Sequence, residues 1–290
     1  MSSQKQTLSS IVSVTGCVAS AAPKTSSGVA INGREIGPHL PPYIVAEISA
    51  NHSGDIGKAI RLIHASRDAG ADAIKLQTYT PGELTSPAHP ELWALYEKAQ
   101  TPREWHSELF AYAKEIGITA FSSAFSVDGV RFLQSLGVPA IKIASAEFNN
   151  RDLKRAAHLT GLPVILSMGM ADWGLSMPLL RPGDRTILLH CVAQYPSRIE
   201  EANLRALMTL QEVGGPVGLS DHTPGYETAI AATALGACVI EKHFKIDDDC
   251  IDAAWSLDPV QFAVMCKAVR AIWHGMGDGV IRPTCEPRKR

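Results

Sequence analysis

His222 and His243 occupy matching places in two strand-like runs, GLSDH and CVIEKH, 21 positions apart, with Asp221 and Glu241 close by. The intervening ETAIAATALGA has the apolar composition and length of one helix. In a parallel strand–helix–strand unit, consecutive strand ends lie side by side on one rim of the sheet. Both imidazoles would then converge on one site flanked by carboxylates. Such a site suits a divalent ion that keeps open coordination positions and acts as a Lewis acid.

Two lysines, Lys75 in AIKLQ and Lys142 in AIKIAS, interrupt apolar runs of the same kind. A buried ammonium group is costly unless an anion answers it. Two of them beside several hydroxyls describe a pocket for phosphate or carboxylate. The other strand ends offer Glu47 with Asn51 and His52, Gln77, Ser122 with Ser123, Ser145 with Glu147, Ser167, His190 and Ser220. Each has a plainer reading. Either lysine alone could form a structural ion pair with Glu47 or Glu147. His52 and His190 read as structural, and single serines there usually cap the next helix. His64, His106, His158 and His274 fall on helices and read as structural, while Glu97, Lys98, Arg103 and Arg151 read as solvated faces or caps. What favours a site is that polar chemistry recurs at the ends of all eight strands.

Those strands are read at Tyr43–Ile48, Ala71–Thr78, Ile118–Ser123, Ala140–Ser145, Pro163–Gly169, Thr186–Cys191, Pro216–Asp221 and Cys238–Phe244. Segments with helical periodicity separate them, as in Ile56–Ala69 and Pro259–Trp273. Continuously apolar strands such as VILS and ILLHC imply a parallel sheet covered by helices on both faces. Eight units fit a (β/α)8 TIM barrel, typically ~250 residues. The first strand is followed by no glycine-rich dinucleotide fingerprint, which disfavours a doubly wound sheet. Ahead of the barrel, VAINGREIG alternates around Asn32-Gly33, a type I′ hairpin signal. The segment from Tyr79 to about Thr101 reads as a long loop, either a lid or a packing insertion. Ala171–Arg185, with two prolines and two glycines, predicts a short or irregular fifth helix.

Composition bounds the rest. Apolar residues make up 46% and charged residues 19% of 290, with a net charge of −2, so nucleic acid and anionic membranes are not expected partners. No apolar run approaches the roughly 18–20 residues of a membrane span. Six cysteines without a CxxC pair read as reduced thiols of a cytoplasmic protein. Residues 1–27 read as a disordered tail, 28–283 as the barrel with its hairpin, and 284–290 as a C-terminal tail.

AEISANHSGD, ADAIKLQTYTP, SLGVPAIKIASAEFNN, PVILSMGMA, HCVAQYPS and GLSDHTPGYE with ALGACVIEKHF resemble the sialic acid synthase family. INGREIGPHLPPYIVAEISANHSGD, LWALYEKAQTPREWH and DAAWSLDPVQF are similar to its pseudaminic acid synthase branch. The resemblance covers about Ile31 to Pro283. It implies metal-dependent condensation of phosphoenolpyruvate with an aldose, giving a 2-keto-3-deoxy sugar acid and phosphate, in a homodimer. By match to the family, His222 and His243 hold the metal, manganese first, with magnesium or cobalt as substitutes. Lys75, Lys142, Ser123, Ser145, Ser167 and Ser220 bind phosphoenolpyruvate, and Glu47 and Glu147 stand near the reacting carbons. Gln77, Tyr195 and Asp252 face the sugar, and Asn51 and Glu241 complete the expected substrate-binding set. The sequence departs from the family at Val192 and Ala193, where a hydroxyl or amide is usual, and at Met168 in SMGM. It departs again at DDDCI, Asp247–Ile251, and in the expected absence of an antifreeze-like domain after the barrel. Two alternatives remain at this level: a lyase or aldolase using another ketoacid donor, or a non-catalytic binding subunit.

Overall fold

The structure is a computed structural model that describes residues 28–171 and 185–281. The two expected tails, most of the fifth helix region, Cys17 and Cys285 lie outside the described residues. The hairpin forms as expected: β1 (Val29–Ile31) and β2 (Arg34–Ile36) pair antiparallel across Asn32 and Gly33, both at positive φ. That is the backbone a two-residue type I′ turn requires.

Eight parallel strands follow: β3 (Tyr43–Glu47), β4 (Ala73–Thr78), β5 (Thr119–Ala124), β6 (Ile141–Ile143), β7 (Val164–Ser167), β8 (Thr186–Cys191), β9 (Val217–Asp221) and β10 (Val239–His243). They pair in sequence order, and β10 closes on β3, so the sheet is a TIM barrel. Helices between the strands start at side-chain caps: Asp55 for Ile56–Asp68, Ser126 for Val127–Ser135, Asn150 for Arg151–Leu159 and Asp258 for Pro259–Met276. Each cap accepts a backbone N–H that the helix itself cannot satisfy.

The two-residue period of a strand divides the core in two. Residues facing outward, such as Ile44, Ala46, Ile74, Leu76, Ile240 and Phe244, pack against the helices. Those facing inward form a separate apolar layer of Tyr43, Val45, Ala73, Phe121, Ile165, Ile187, Leu189 and Val239. Val29, Ile31 and Ile36 of the hairpin belong to that layer, so the hairpin plugs the N-terminal end of the barrel. Further along the same inward rows, side chains turn polar. The barrel therefore opens on one rim only.

The expected long loop after β4 instead holds two helices, Pro81–Leu84 and Pro90–Ala99. Both begin with proline in the first turn, and the first also carries a Thr80–Glu83 capping box. Their apolar pattern is hard to read because little of the second helix is buried, with Leu92 and Leu95 exposed. The aromatic face of Tyr79 against Tyr96, centroids 5.9 Å apart, ties this insertion to the rim.

Gly218 shows how tightly the inner layer is filled. A Cβ there would overlap the Val239 carbonyl oxygen and lie 2.8 Å from Leu189 Cδ2. Gly218→Ala is expected to lose about 1–3 kcal/mol by overpacking. A urea melt would show this as a lower midpoint at unchanged slope; an unchanged midpoint would mean that β8 to β10 yield freely.

Candidate active site

The inward rows end in charge. Glu47 on β3 and Lys75 on β4 are register neighbours and form a buried ion pair. Lys75 Nζ also donates to Ser123 Oγ at 3.0 Å and lies 3.6 Å from Glu241 Oε1. Lys142 Nζ donates to Ser167 Oγ at 2.7 Å and lies 3.7 Å from the same Glu241 oxygen. Ser220 Oγ donates to that oxygen too, at 2.8 Å. One carboxylate thus stands between two ammonium groups, and a serine hydroxyl donates to it as well. Ser145 Oγ, on the turn after β6, contacts Cys191 Sγ at 2.8 Å and accepts the Gly169 amide at 3.0 Å. These side chains line one cavity with Gln77, Tyr195, His222 and His243.

Burial and charge set the protonation states. Burial raises the Glu47 carboxyl and is only partly offset by Lys75 and His243, so it sits above the usual carboxylate range. Burial also works against Glu241, but Lys142, Lys75 and Ser220 together outweigh it and bring the carboxyl down to about 2. For Lys75 the burial penalty is outweighed by Glu241 and Glu47, and its pKa rises; for Lys142 burial wins and its pKa falls. Two carboxylates sharing one lysine cannot both be equally stabilised, and here Glu47 is the one whose ionisation is less favoured. Glu241 Oε2 is buried with no hydrogen-bond partner among the described residues, a position for a ligand's donor.

The histidines line the same cavity from the ends of β9 and β10, ring centroids 5.4 Å apart. His222 Nδ1 donates to the Val192 carbonyl at 2.9 Å, and His243 Nδ1 is 3.1 Å from Asp252 Oδ2. Those partners engage each Nδ1 and leave each Nε2 as the nitrogen available to a metal, the arrangement second-sphere groups give metal-ligating histidines. Burial, followed by the neighbouring His243, lowers the His222 pKa to about 3, which keeps it neutral. Among the described residues no three His, Cys, Asp or Glu side chains group to hold a metal ion. Two imidazoles alone could hold a divalent ion only if substrate and water supplied its remaining ligands. Tyr195, more than half exposed, tilts over His222 at 4.2 Å and forms the outer wall with Trp255, 5.5 Å from it.

Several sequence expectations land elsewhere. Asp221 does not flank the histidines from within the cavity: the strand period turns it to the outer face, against Lys242. Asn51 is a structural tie, donating to the Phe244 carbonyl at 2.8 Å and to Ser256 Oγ at 3.0 Å while accepting the Asp252 amide. Glu147, on the turn after β6, accepts from Asn150 at 2.8 Å and is not among the cavity-lining side chains. Asp252 is held against His243 rather than aimed into the cavity alone. Val192 contributes its carbonyl, and neither its side chain nor that of Ala193 lines the cavity. Met168 packs in the outer core and does not line the cavity.

Cys191 and Lys242 are absent from the sequence expectations. Cys191 shares the inward row of Ile187 and Leu189, a parity readable from TILLHC. Lys242 lies between inward-facing Glu241 and His243, so it must point out into an apolar layer and needs a partner there.

Glu241 makes stability depend on acid. Its folded pKa, about 2, lies below the unfolded value of 4.5, so its contribution is fully present above pH 4.5 and lost as pH falls toward 2. Glu241→Gln is expected to flatten the denaturant midpoint between pH 4.5 and about 2 relative to the parent, whatever its effect at neutral pH. Parallel pH profiles for the two proteins would contradict this.

Known proteins share this sequence and this barrel. The family model described as NeuB family matches residues 62–281. A pseudaminic acid synthase of Helicobacter pylori is 41% identical over 259 residues, 82% of this chain and 76% of that protein. An N,N'-diacetyllegionaminic acid synthase of Campylobacter jejuni is 35% identical, covering 85% of this chain and 80% of its own. The crystal structure of an N-acetylneuraminic acid (sialic acid) synthetase from Leptospira borgpetersenii serovar Hardjo-bovis, in complex with citrate, superposes with a TM-score of 0.85 at 33% identity. It covers 89% of this chain and 93% of that one. A match over residues 62–281, with 41% identity across most of both chains, shows that this chain belongs to the NeuB family.

Proposed function

We propose that this enzyme condenses phosphoenolpyruvate with the open-chain aldehyde of an N-acyl amino sugar or related aldose, releasing phosphate and a 2-keto-3-deoxy sugar acid. The observation that carries this reading is the pair of buried lysines, Lys75 and Lys142, each hydrogen-bonded to a serine and lining one cavity with two histidines. Lysine and hydroxyl donors suit the phosphate and carboxylate of phosphoenolpyruvate. The histidines suit a divalent ion, for which manganese is proposed, with magnesium or cobalt as substitutes.

In the reaction, C3 of phosphoenolpyruvate adds to the aldehyde carbon, water adds at C2, and phosphate leaves with cleavage of its bond to C2. When bound, the metal polarises the aldehyde. The protein's own groups do the rest. Lys75 and Lys142 hold the anionic donor with its enol carbon toward the histidines. Glu47, whose pKa burial raises and which is in contact with Lys75, gives a proton to or takes one from the reacting centre. Glu241 stays ionised between the lysines and keeps both charges in place before substrate arrives. Tyr195 and Trp255 stand where the sugar would enter. The alternative of a different ketoacid donor rests on Val192 and Ala193, and the first reading is favoured because neither side chain lines the cavity. The reading also carries a cytoplasmic setting and a homodimer. The unpaired state of the four described cysteines supports the first.

Incubating the manganese-loaded protein with phosphoenolpyruvate and a panel of N-acyl amino sugars and smaller aldoses should release phosphate with at least one acceptor. No release with any of them, together with no calorimetric binding of phosphoenolpyruvate, would sink the proposal. Lys142→Met is expected to lower kcat/KM by about 10²–10³, the loss typical of removing one preorganised donor. His222→Ala and His243→Ala should each abolish retained manganese by elemental analysis while leaving the fold intact by circular dichroism; metal content unchanged in both would refute the metal assignment.

A further inference from the structure

Behind the cavity, on the side of the sheet that faces the helices, a second ion pair repeats the geometry of the first. Lys242 is fully buried and lies on β10 between Glu241 and His243. Its register partner on β9 is Asp221, which lies between Ser220 and His222. Inside the barrel the neighbouring register pair, Glu241 and Ser220, is hydrogen-bonded; outside it, Lys242 Nζ donates to Asp221 Oδ2 at 3.0 Å.

The outer pair is also wrapped around the backbone that carries His222. Asp221 Oδ1 accepts from the Thr223 amide at 2.9 Å and from Thr223 Oγ1 at 2.8 Å. Asp221 Oδ2 accepts from Thr228 Oγ1 at 2.7 Å, and Lys242 Nζ donates to the Thr223 carbonyl. Residues 221 and 223 are thus both pinned, and His222 is the single residue between them. His243 directly follows Lys242.

We propose that the Asp221–Lys242 pair is a positioning clamp that sets the separation and direction of His222 and His243 for a shared divalent metal. The inference rests on the metal-dependent reading above. Two buried charges gain little stability over apolar residues of the same size, because their desolvation offsets their attraction. Their geometric effect is specific: a cross-strand link with four further hydrogen bonds fixes both strand ends in register. Outer partners of this kind govern the affinity of a metal site without touching the metal.

The test is cobalt(II) binding to the metal-stripped full chain, followed by calorimetry and by the visible absorption of the bound ion. Asp221→Asn with Lys242→Met removes both charges together and leaves no unpaired buried ion. That double variant should bind cobalt about 10–100-fold more weakly, with an altered absorption spectrum. Thr228→Val removes the hydroxyl's two hydrogen bonds, to Asp221 and Thr223, and no charge, and so probes the clamp even if the double variant fails to fold; it should weaken binding roughly threefold or more. Asp72→Asn controls for stability alone. Asp72 accepts the Ile44 amide at 2.8 Å and pairs with Arg34 and Arg270 at the opposite end of the barrel. It should lower the thermal midpoint without changing cobalt affinity. Wild-type affinity and spectrum in the double variant, or in Thr228→Val where the double variant is unfolded, would overturn the clamp. His222→Ala and His243→Ala in the same titration separate the two claims. If they lose cobalt and the clamp variants do not, only the clamp fails; if they bind as the parent does, the metal reading fails and takes the clamp with it.

Discussion

Glu241 sits 3.6 Å from one buried ammonium group and 3.7 Å from another, and the rest of the site follows from that sharing. Without it, Lys75 and Lys142 would face each other across a cavity closed from below by the hairpin and the apolar layer. Burial and mutual repulsion would weigh against both charges, with Glu47 left to answer Lys75 alone. With it, Lys75 gains a second counter-charge and its pKa rises, while burial, more than any neighbour, raises that of Glu47. Charge suited to an anion and a carboxyl biased toward its protonated form thus meet in one arrangement of four groups. Its position is dictated by strand geometry, since register places Glu241 opposite Ser220 and Glu47 opposite Lys75.

The barrel separates tasks by parity. Inward rows run from an apolar plug to a polar rim, so the reacting groups are held by strands rather than by loops. Outward rows bind the helices, and among them Lys242 and Asp221 are exceptions that link the strand ends carrying the two histidines. Residues that share a strand therefore serve different layers: Glu241 the anion, Lys242 the register, His243 the metal. Rigid placement of this kind is what lets a few charges act together in a low-dielectric site.

Much of this architecture is legible in the amino-acid sequence. Eight apolar runs with polar ends, and the hairpin at Asn32-Gly33, are readable because strand period and turn chemistry are local properties. The convergence of Lys75, Lys142, His222 and His243 follows from topology alone. What the residues do not reveal depends on direction and on distant partners. Asp221 adjoins His222 and so seems to belong beside the metal, yet alternation turns adjacent residues to opposite faces. Asn51 and Glu147 enter the expected site as residues just past strand ends, and their hydrogen bonds to Phe244, Ser256 and Asn150 give them structural ties that spacing cannot show. The helix Pro90–Ala99 carries little signal because its apolar residues are largely exposed and leave no buried stripe.

The central claim is that a metal and phosphoenolpyruvate occupy opposite ends of one cavity. A crystal structure of the full chain with manganese and phosphoenolpyruvate, using anomalous scattering at the manganese edge, tests it most directly. The account predicts one anomalous peak bonded to Nε2 of both His222 and His243, with the phosphate and carboxylate of phosphoenolpyruvate against Lys75 and Lys142. Manganese bound away from the two histidines, or phosphoenolpyruvate bound away from the two lysines, would contradict it.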